Sequence, residues 1–176
     1  NINVKRWIIL QFFIQFINDS VGNLNTSSVT FFKDTIAPSI TIASPVNTTY
    51  NNRTQLVNIS TSGASYVWFT NSSGQNETYT TSIYKVFNEG SNTLRAYAND
   101  SLGNFNQTSA TFFIDTTLSN ATLISPANGT VTNVSSQNFT VNASDVGTGL
   151  ANGTLYIYNQ TGLVNQTTVN LGGVAN

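Results

Sequence analysis

The feature that most constrains this chain is an internal repeat. Residues 17–35 (INDSVGNLNTSSVTFFKDT) recur as residues 98–116 (ANDSLGNFNQTSATFFIDT), at an offset of about 81 residues. The match continues from residues 40–52 into residues 121–133. A period of this length fits one small β-sandwich and is too long for a helical solenoid or a leucine-rich repeat. The sequence therefore predicts similar small domains in series.

Within one period, β-branched and aromatic residues form short alternating runs separated by clusters of Asn, Ser and Gly, and helix signals are absent. The pattern predicts an all-β fold. The strands predicted for the middle period are Ile40–Ala43, Leu56–Thr61, Tyr66–Thr70, Thr78–Val86, Thr93–Ala98 and Ser109–Ile114. The core predicted from period-2 alternation comprises Val57, Ile59, Val67, Phe69, Leu94, Ala96 and one of Phe112 or Phe113.

Two turns are predicted between these strands. Residues 71–74 (NSSG) are typical of a hairpin turn, and residues 99–104 (NDSLGN) form the turn before the last strand, with Gly103 at positive φ. Asp100 could bind calcium there, but no second and third carboxylate lie nearby in the sequence. An Asp side chain that caps its own turn is the favoured interpretation.

The composition excludes several classes of function. The chain has no cysteine and no histidine, so it cannot form disulfides, thiolate metal sites or Ser-His and Cys-His catalytic pairs. Its net charge of -1 and 7% of charged residues provide no basic surface for nucleic acid. We predict no catalytic, cofactor-binding or metal site. The acidic residues fall mostly in turns and linkers; they are Asp19, Asp34, Glu77, Glu89, Asp100, Asp115 and Asp145.

The apolar run Trp7–Ile17 (WIILQFFIQFI) is about 11 residues long, whereas a membrane-spanning helix needs about 20. It is predicted to be a buried strand, with no membrane insertion by this segment. Because residue 1 is not Met, the sequence is expected to begin inside a longer precursor or after processing.

A second strong signal is the triplet Asn-x-Ser/Thr, the acceptor of N-linked glycans. Chance pairing of the Asn, Ser and Thr residues in this chain would produce roughly seven such triplets, fewer than half of those present. The sites predicted to be glycosylated are Asn18, Asn25, Asn47, Asn52, Asn58, Asn71, Asn76, Asn99, Asn106, Asn120, Asn128, Asn133, Asn138, Asn142, Asn152, Asn159 and Asn165.

Strand alternation or a turn is expected to expose four of these sites in particular: Asn58, Asn71, Asn138 and Asn142. Polar residues on the wet face of a sheet would alternate in the same way without any glycan, so the argument depends on the excess of triplets. Glycans would also prevent edge-to-edge aggregation of strands that carry almost no charge.

The linkers Asp34-Thr35-Ile36-Ala37-Pro38 and Asp115-Thr116-Thr117, the Ser-Pro after the first strand and the Asn-Asp-Ser-x-Gly-Asn turn resemble the immunoglobulin-like repeats of archaeal cell-surface glycoproteins. Residues 125–169 resemble another variety of such repeats. The resemblance implies tandem, cysteine-free immunoglobulin-like β-sandwich domains in an extracellular setting. The expected divisions are residues 1–35 as closing strands, 36–116 as a complete domain and 117–176 as opening strands.

These observations favour a structural, heavily N-glycosylated module of a surface stalk or filament, with no cofactor besides its covalent glycans. An alternative is an adhesion or carbohydrate-binding module that recognises surface glycans or a host protein through loops at the end of the sandwich, where Tyr50 and Tyr79 are the candidate aromatics. Core packing is the favoured interpretation of Tyr50. A non-catalytic appendage of a secreted protease or glycosidase is a third interpretation.

The two outer pieces are each expected to lack strands, and neither could bury its apolar face alone. We therefore expect residues 117–176 to receive closing strands like those of residues 1–35, either from the next copy of the chain by strand addition or by covalent continuation. The predicted partner is another copy of the chain, arranged head to tail.

Overall fold

A computed structural model describes the backbone of residues 8–70 and 73–174 and the side chains of residues 18–29, 32–70 and 73–173. This part of the chain is all-β, as predicted. None of its segments forms a helix that could cross a membrane. The strands are β1 (Ile8–Asn18), β2 (Leu24–Lys33), β3 (Ser39–Ser44), β4 (Thr49–Tyr50), β5 (Thr54–Ser62), β6 (Tyr66–Thr70), β7 (Asn76–Thr78), β8 (Ile83–Val86), β9 (Gly90–Asn99), β10 (Phe105–Ile114), β11 (Asn120–Ser125), β12 (Thr140–Ser144), β13 (Leu150–Asn159) and β14 (Gly162–Val174).

The chain divides into two compact units. The first contains residues Asn1–Asn47, Thr54–Val86 and Thr93–Thr111, and the second contains Thr48–Arg53, Phe87–Asn92 and Phe112–Asn176.

The strands of the residue range 39–114 form two sheets. One has the order β3-β5-β8, with antiparallel pairs that include Ile40↔Thr61 and Val57↔Ile83. The other has the order β4-β10-β9-β6-β7, in which β4 runs parallel to β10 and the β9–β6 and β6–β7 pairs are antiparallel. The hairpin β1–β2 forms a sheet of its own.

Alternating side chains of the first unit are buried. On β9, Leu94, Ala96 and Ala98 are fully buried while Thr93 and Arg95 are exposed. Full burial of a large aliphatic or aromatic side chain contributes about 1.5–3 kcal/mol each. The buried aliphatic and aromatic residues of this unit are Ile40, Val57, Ile59, Phe69, Leu94, Ala96 and Ala98. Pro38 and Pro45 are buried in the same unit.

The core prediction is confirmed except at one position. Val57, Ile59, Phe69, Leu94 and Ala96 are buried, as is Phe112 of the predicted Phe112/Phe113 pair. Val67 is only half-buried, so its assignment to the core was wrong. It lies on β6 directly opposite Ala98 of β9.

The prediction of one strand over Thr78–Val86 was also wrong, because Thr78 ends β7 in one sheet and Ile83–Val86 form β8 in the other. The chain leaves β7 at Tyr79, whose hydroxyl accepts a hydrogen bond from the Ile59 backbone N–H on β5 (3.0 Å) and whose ring meets Phe69 edge-on at 6.5 Å. After three residues it joins β5 as β8. The crossing contains Thr, Thr and Ser but no Gly or Pro, so its sequence looks like a continuous strand.

The second unit buries Phe87, Phe112 and Ile114. Phe112 meets the rings of Phe87 and Tyr50 edge-on, at centroid distances of 4.8 and 5.9 Å. The turn before β9 is held by the buried Asn92, whose amide nitrogen donates to the Asn88 and Gly90 carbonyls.

The remaining strands of the second unit form two small antiparallel sheets, β11–β12 and β13–β14. Among the side chains described in residues 117–173, no apolar one is buried. The large apolar side chains exposed here are Leu118, Leu123, Ile124, Val131, Val134, Phe139, Val141, Val146, Tyr156, Tyr158, Leu163, Val164 and Val169. The four strands β11–β14 therefore pair their backbones without forming a core of their own.

Candidate functional site

Most of the predicted glycosylation sites are exposed, which attachment of a glycan requires. Asn138 and Asn142 are exposed as expected, and Asn71 lies outside the described residues. The exposed sites are Asn18, Asn25, Asn47, Asn52, Asn76, Asn106, Asn120, Asn128, Asn133, Asn138, Asn142, Asn152, Asn159 and Asn165.

Two sites are half-buried. The expected exposure of Asn58 was wrong, because the Tyr79 hydroxyl lies 3.4 Å from its Oδ1. Asn99 lies directly opposite Tyr66 on the neighbouring strand, and its buried Oδ1 has no hydrogen-bond partner among the described residues. At the exposed site Asn106, the attachment nitrogen itself donates to the Pro38 carbonyl (2.9 Å). If glycans are attached to this chain, occupancy at these three sites is expected to be lower than at the others.

The repeated turn has the same hydrogen bonds in both copies. Asp100 Oδ1 accepts from the backbone N–H groups of Leu102 and Asn104 (both 2.9 Å), and Gly103 has φ of 86°. In the first copy, Asp19 Oδ1 accepts from Val21 (3.0 Å) and Asn23 (2.9 Å). The predicted capping role of Asp100 is confirmed.

These bonds favour the ionised carboxylates. The side-chain amide of Asn104 donates to Asp100 Oδ2 at 2.8 Å and is the largest cause that lowers the pKa of Asp100 below its usual value. For Asp19, the largest cause of the lowered pKa is the bond from the Asn23 backbone N–H. Both carboxylates therefore act as fixed acceptors inside their turns.

Asp115, just after β10, accepts hydrogen bonds from two segments of the chain, and we call this cluster the Asp115 junction. Its Oδ1 accepts from the Thr117 backbone N–H and hydroxyl, while its Oδ2 accepts from the backbone N–H and the hydroxyl of Thr148 (both 2.7 Å). The Thr117 hydroxyl also lies 2.6 Å from the Val146 carbonyl. Hydrogen bonds from Thr117 and then Thr148 lower the pKa of Asp115 from 3.8 to about 2.

The loop at this junction requires glycine. Gly147 has φ of 137°, and a Cβ placed there would lie 2.5 Å from Asp115 Oδ2. Asp145, buried nearby, accepts from the Gly149 N–H at 2.9 Å. The linker after β10 is thus tied by side-chain bonds to the loop of residues 145–149.

Each of the seven carboxylates has a structural partner. Asp19, Asp34 and Asp100 accept bonds from backbone N–H groups two or four residues later. Asp115 and Asp145 bind the 145–149 loop, Glu77 pairs with Lys85, and Glu89 accepts from Thr116. Within the described residues, no group of three or more acidic, His or Cys side chains could hold a metal ion.

Four aromatic rings form a stack on the outer face of the sheet that contains β6, β9 and β10, and we call them the aromatic stack: Tyr66, Trp68, Tyr97 and Phe105. Trp68 lies opposite Tyr97, with ring centroids 5.4 Å apart and an interplanar angle of 14°. Tyr66 stacks on Trp68 at 5.3 Å, and Phe105 lies 6.2 Å from Tyr97. Tyr66 and Phe105 are 48% and 51% exposed.

The loop aromatics proposed for a binding site have other roles. Tyr50 is half-buried and packs edge-on against Phe112, which agrees with its interpretation as a core-packing residue. Tyr79 is half-buried and contacts Phe69 and Ile59.

The sequence contains a signal for part of the aromatic stack. If Val67 and Phe69 face the core, strand alternation places Tyr66 and Trp68 together on the opposite face. Their partners Tyr97 and Phe105 lie on other strands and could be added only once the register was known.

No family model matches the chain, and no curated protein matches it in sequence.

Proposed function

We propose that this chain is a structural, N-glycosylated module of an extracellular array built from tandem immunoglobulin-like β-sandwiches, similar to those of archaeal cell-surface glycoproteins. It is not an enzyme, and its principal partner is another copy or repeat of the same kind, arranged head to tail.

The strand order supports the immunoglobulin-like assignment. In immunoglobulin-type sandwiches, strands A, B and E share one sheet, and C, F and G share the other. The order β3-β5-β8 corresponds to A-B-E, and β10-β9-β6 corresponds to G-F-C. The contacts of Tyr79 with Ile59 on β5 and Phe69 on β6 support face-to-face packing of the two sheets. On this assignment, residues 36–116 form the complete domain.

The observation that carries the proposal is the duplicated closing hairpin. The Asp-centred turn and β2 match the second turn and β10 in sequence, and the two turns have the same hydrogen bonds. β1 is the neighbour of β2 as β9 is of β10, although residues 8–16 differ in sequence from the matching part of β9. β11 and β12 likewise reproduce the antiparallel pair β3 and β5, including the irregular register before the Ser-Pro. The chain thus contains a closing hairpin from one repeat and opening strands from another.

The opening strands β11 and β12 are accompanied by no counterpart of the β4–β10 pair of the middle repeat within the described residues. In the middle repeat, Tyr50 of β4 pairs with Ile114 of β10. The position equivalent to Tyr50 is Val131, which forms no strand and is 96% exposed. A hairpin equivalent to β1–β2 would supply the missing partner and cover apolar side chains of residues 117–173.

Exposed Asn-x-Ser/Thr sites on nearly every segment support a glycan-coated surface. The chain has few charged residues to keep its edge strands apart, and hydrated glycans would serve that purpose. The structural partners of all seven carboxylates leave none as an evident acid or base, which supports a role without catalysis.

An engineered disulfide tests the head-to-tail contact, because the chain has no native cysteine. The pair Ile114↔Tyr50 translates by the repeat offset into Val131 of one copy and Lys33 of the next. Neighbouring strands place Cα atoms within the 4.4–6.8 Å that a disulfide needs. The double variant K33C/V131C should therefore form a ladder of disulfide-linked oligomers on mild oxidation.

The matched control is K33C/V164C, since Val164 is also exposed (59%) but has no predicted partner in β2. It should form at most nonspecific dimers. If both variants form the same products, or if K33C/V131C stays monomeric, completion of one copy by the hairpin of another is contradicted.

A further inference from the structure

The aromatic stack is an exposed surface that the structural role leaves unexplained. Cross-strand aromatic pairs such as Trp68 and Tyr97 stabilise a sheet, and that accounts for the two inner rings. It does not account for Tyr66 and Phe105, which lie at the ends of the stack and are each about half exposed. Each end ring therefore presents apolar surface to solvent.

The exposed aromatic area of the stack is small compared with a protein interface. An aromatic side chain has about 150–250 Å² to bury, so half-exposed Tyr66 and Phe105 together offer about 200 Å², and the half-buried inner rings add about 100 Å². A stable protein interface needs about 800 Å² from each partner. One or two sugar rings are the ligand class that fits this area.

The chemistry around the rings also fits a neutral sugar. The Tyr66 hydroxyl lies 2.7 Å from Thr78 Oγ1, and Thr70 bonds to Asn76, so hydroxyl and amide groups border the stack. Among the residues of β6, β9 and β10, Arg95 carries the one charge. A pyranose ring has a face of C–H groups that stacks on aromatic rings and a rim of hydroxyls that bonds to such neutral groups.

We propose that the aromatic stack binds the C–H face of a pyranose unit in a neutral oligosaccharide. Trp68 and Tyr97 hold the end rings in place, while Tyr66 and Phe105 contact the sugar. The site lies on the face of the sheet and does not use the loops at the end of the sandwich. It is independent of the head-to-tail contact, which uses β2 and the segment near Val131.

The test uses the full chain produced in bacteria without glycosylation, so that its own glycans cannot occupy the site. The chain has two tryptophans, and Trp7→Phe leaves Trp68 as the only one. This variant is titrated with cellohexaose, chitohexaose and maltohexaose, and with oligogalacturonate as the acidic comparator. At least one neutral hexasaccharide should cause a saturable change in Trp68 emission.

Removal of either end ring should weaken binding about tenfold, the equivalent of one lost stacking contact. Phe105→Ala and Tyr66→Ala test this, and Tyr84→Ala is the matched control because Tyr84 is an exposed aromatic (67%) on β8 in the other sheet. Circular dichroism establishes that each variant is folded at the titration temperature. If an alanine variant unfolds, Tyr66→Phe is measured as well. This variant keeps the ring and should therefore retain most of the affinity.

Several results would overturn the proposal. The first is an unchanged Trp68 emission with all three neutral probes. The second is equal affinity of the Phe105→Ala and Tyr84→Ala variants for the sugar. The third is preferential binding of oligogalacturonate that weakens with added salt. Concentration-dependent self-association that disappears in Phe105→Ala would assign the stack to a second copy of the chain instead.

Discussion

Leu94→Ala should strongly destabilise the first compact unit. Leu94 is 0% exposed on β9, the strand whose alternate residues Ala96 and Ala98 are also fully buried. Loss of its transfer free energy and the cavity left behind together cost about 3–4 kcal/mol. Since small domains have only about 5–15 kcal/mol of stability, a large part of the total would be lost.

Urea unfolding of the Trp7→Phe background, followed by Trp68 fluorescence and circular dichroism, measures this change. With a slope of about 1.5–2 kcal/mol/M, the midpoint should fall by about 2 M while the slope stays constant. Leu102→Ala is the control, because Leu102 is 59% exposed in the β9–β10 turn and should cost less than about 0.5 kcal/mol. A loss below about 1 kcal/mol for Leu94→Ala, or similar losses for both variants, would refute the core assignment.

Three further predictions concern the turns and the Asp115 junction. Gly103→Ala should cost about 1 kcal/mol in the same assay, because φ of 86° strains an alanine, whereas Gly153→Ala, which has no positive φ, should be neutral or stabilising. Gly147→Ala should displace the Asp115 side chain, because its Oδ2 would lie 2.5 Å from the new Cβ. Hydrogen exchange of the Thr148 backbone amide should then accelerate, and an unchanged exchange rate would contradict the prediction. Because the pKa of Asp115 is lowered from 3.8 to about 2, its hydrogen bonds with Thr117 and Thr148 should be fully present above pH 4 and lost as the pH falls through 2. An NMR titration of the Asp115 carboxyl carbon with a midpoint near 3.8 would contradict this prediction.

Local sequence patterns predicted the strands and the Asp-centred turns, because each depends on neighbouring residues. Alternation is sufficient to separate buried Phe69 from outward-facing Trp68, and an Asp side chain needs only backbone N–H groups two and four residues later to cap its turn. Alternation fails where the chain changes sheets, as at Tyr79, because no turn residue marks the crossing.

Sites that depend on how distant segments pair could not be predicted from the sequence. Trp68 and Tyr97 are far apart in the chain and meet only because β6 pairs with β9 in one register. Asp115 and Thr148 are 33 residues apart, and no sequence pattern in either segment indicates that the two residues are hydrogen-bonded. The half-burial of Asn58 has the same origin, since Tyr79 returns to it from another strand.

The most direct test of the proposed glycan-coated module is peptide mass spectrometry of the protein from its native source, before and after enzymatic or chemical removal of N-linked glycans. The proposal predicts glycopeptides at most of the exposed sites, Asn138 and Asn142 among them, and lower occupancy at the half-buried Asn58 and Asn99. A native mass that equals the mass of the bare polypeptide and does not change after this treatment would contradict it.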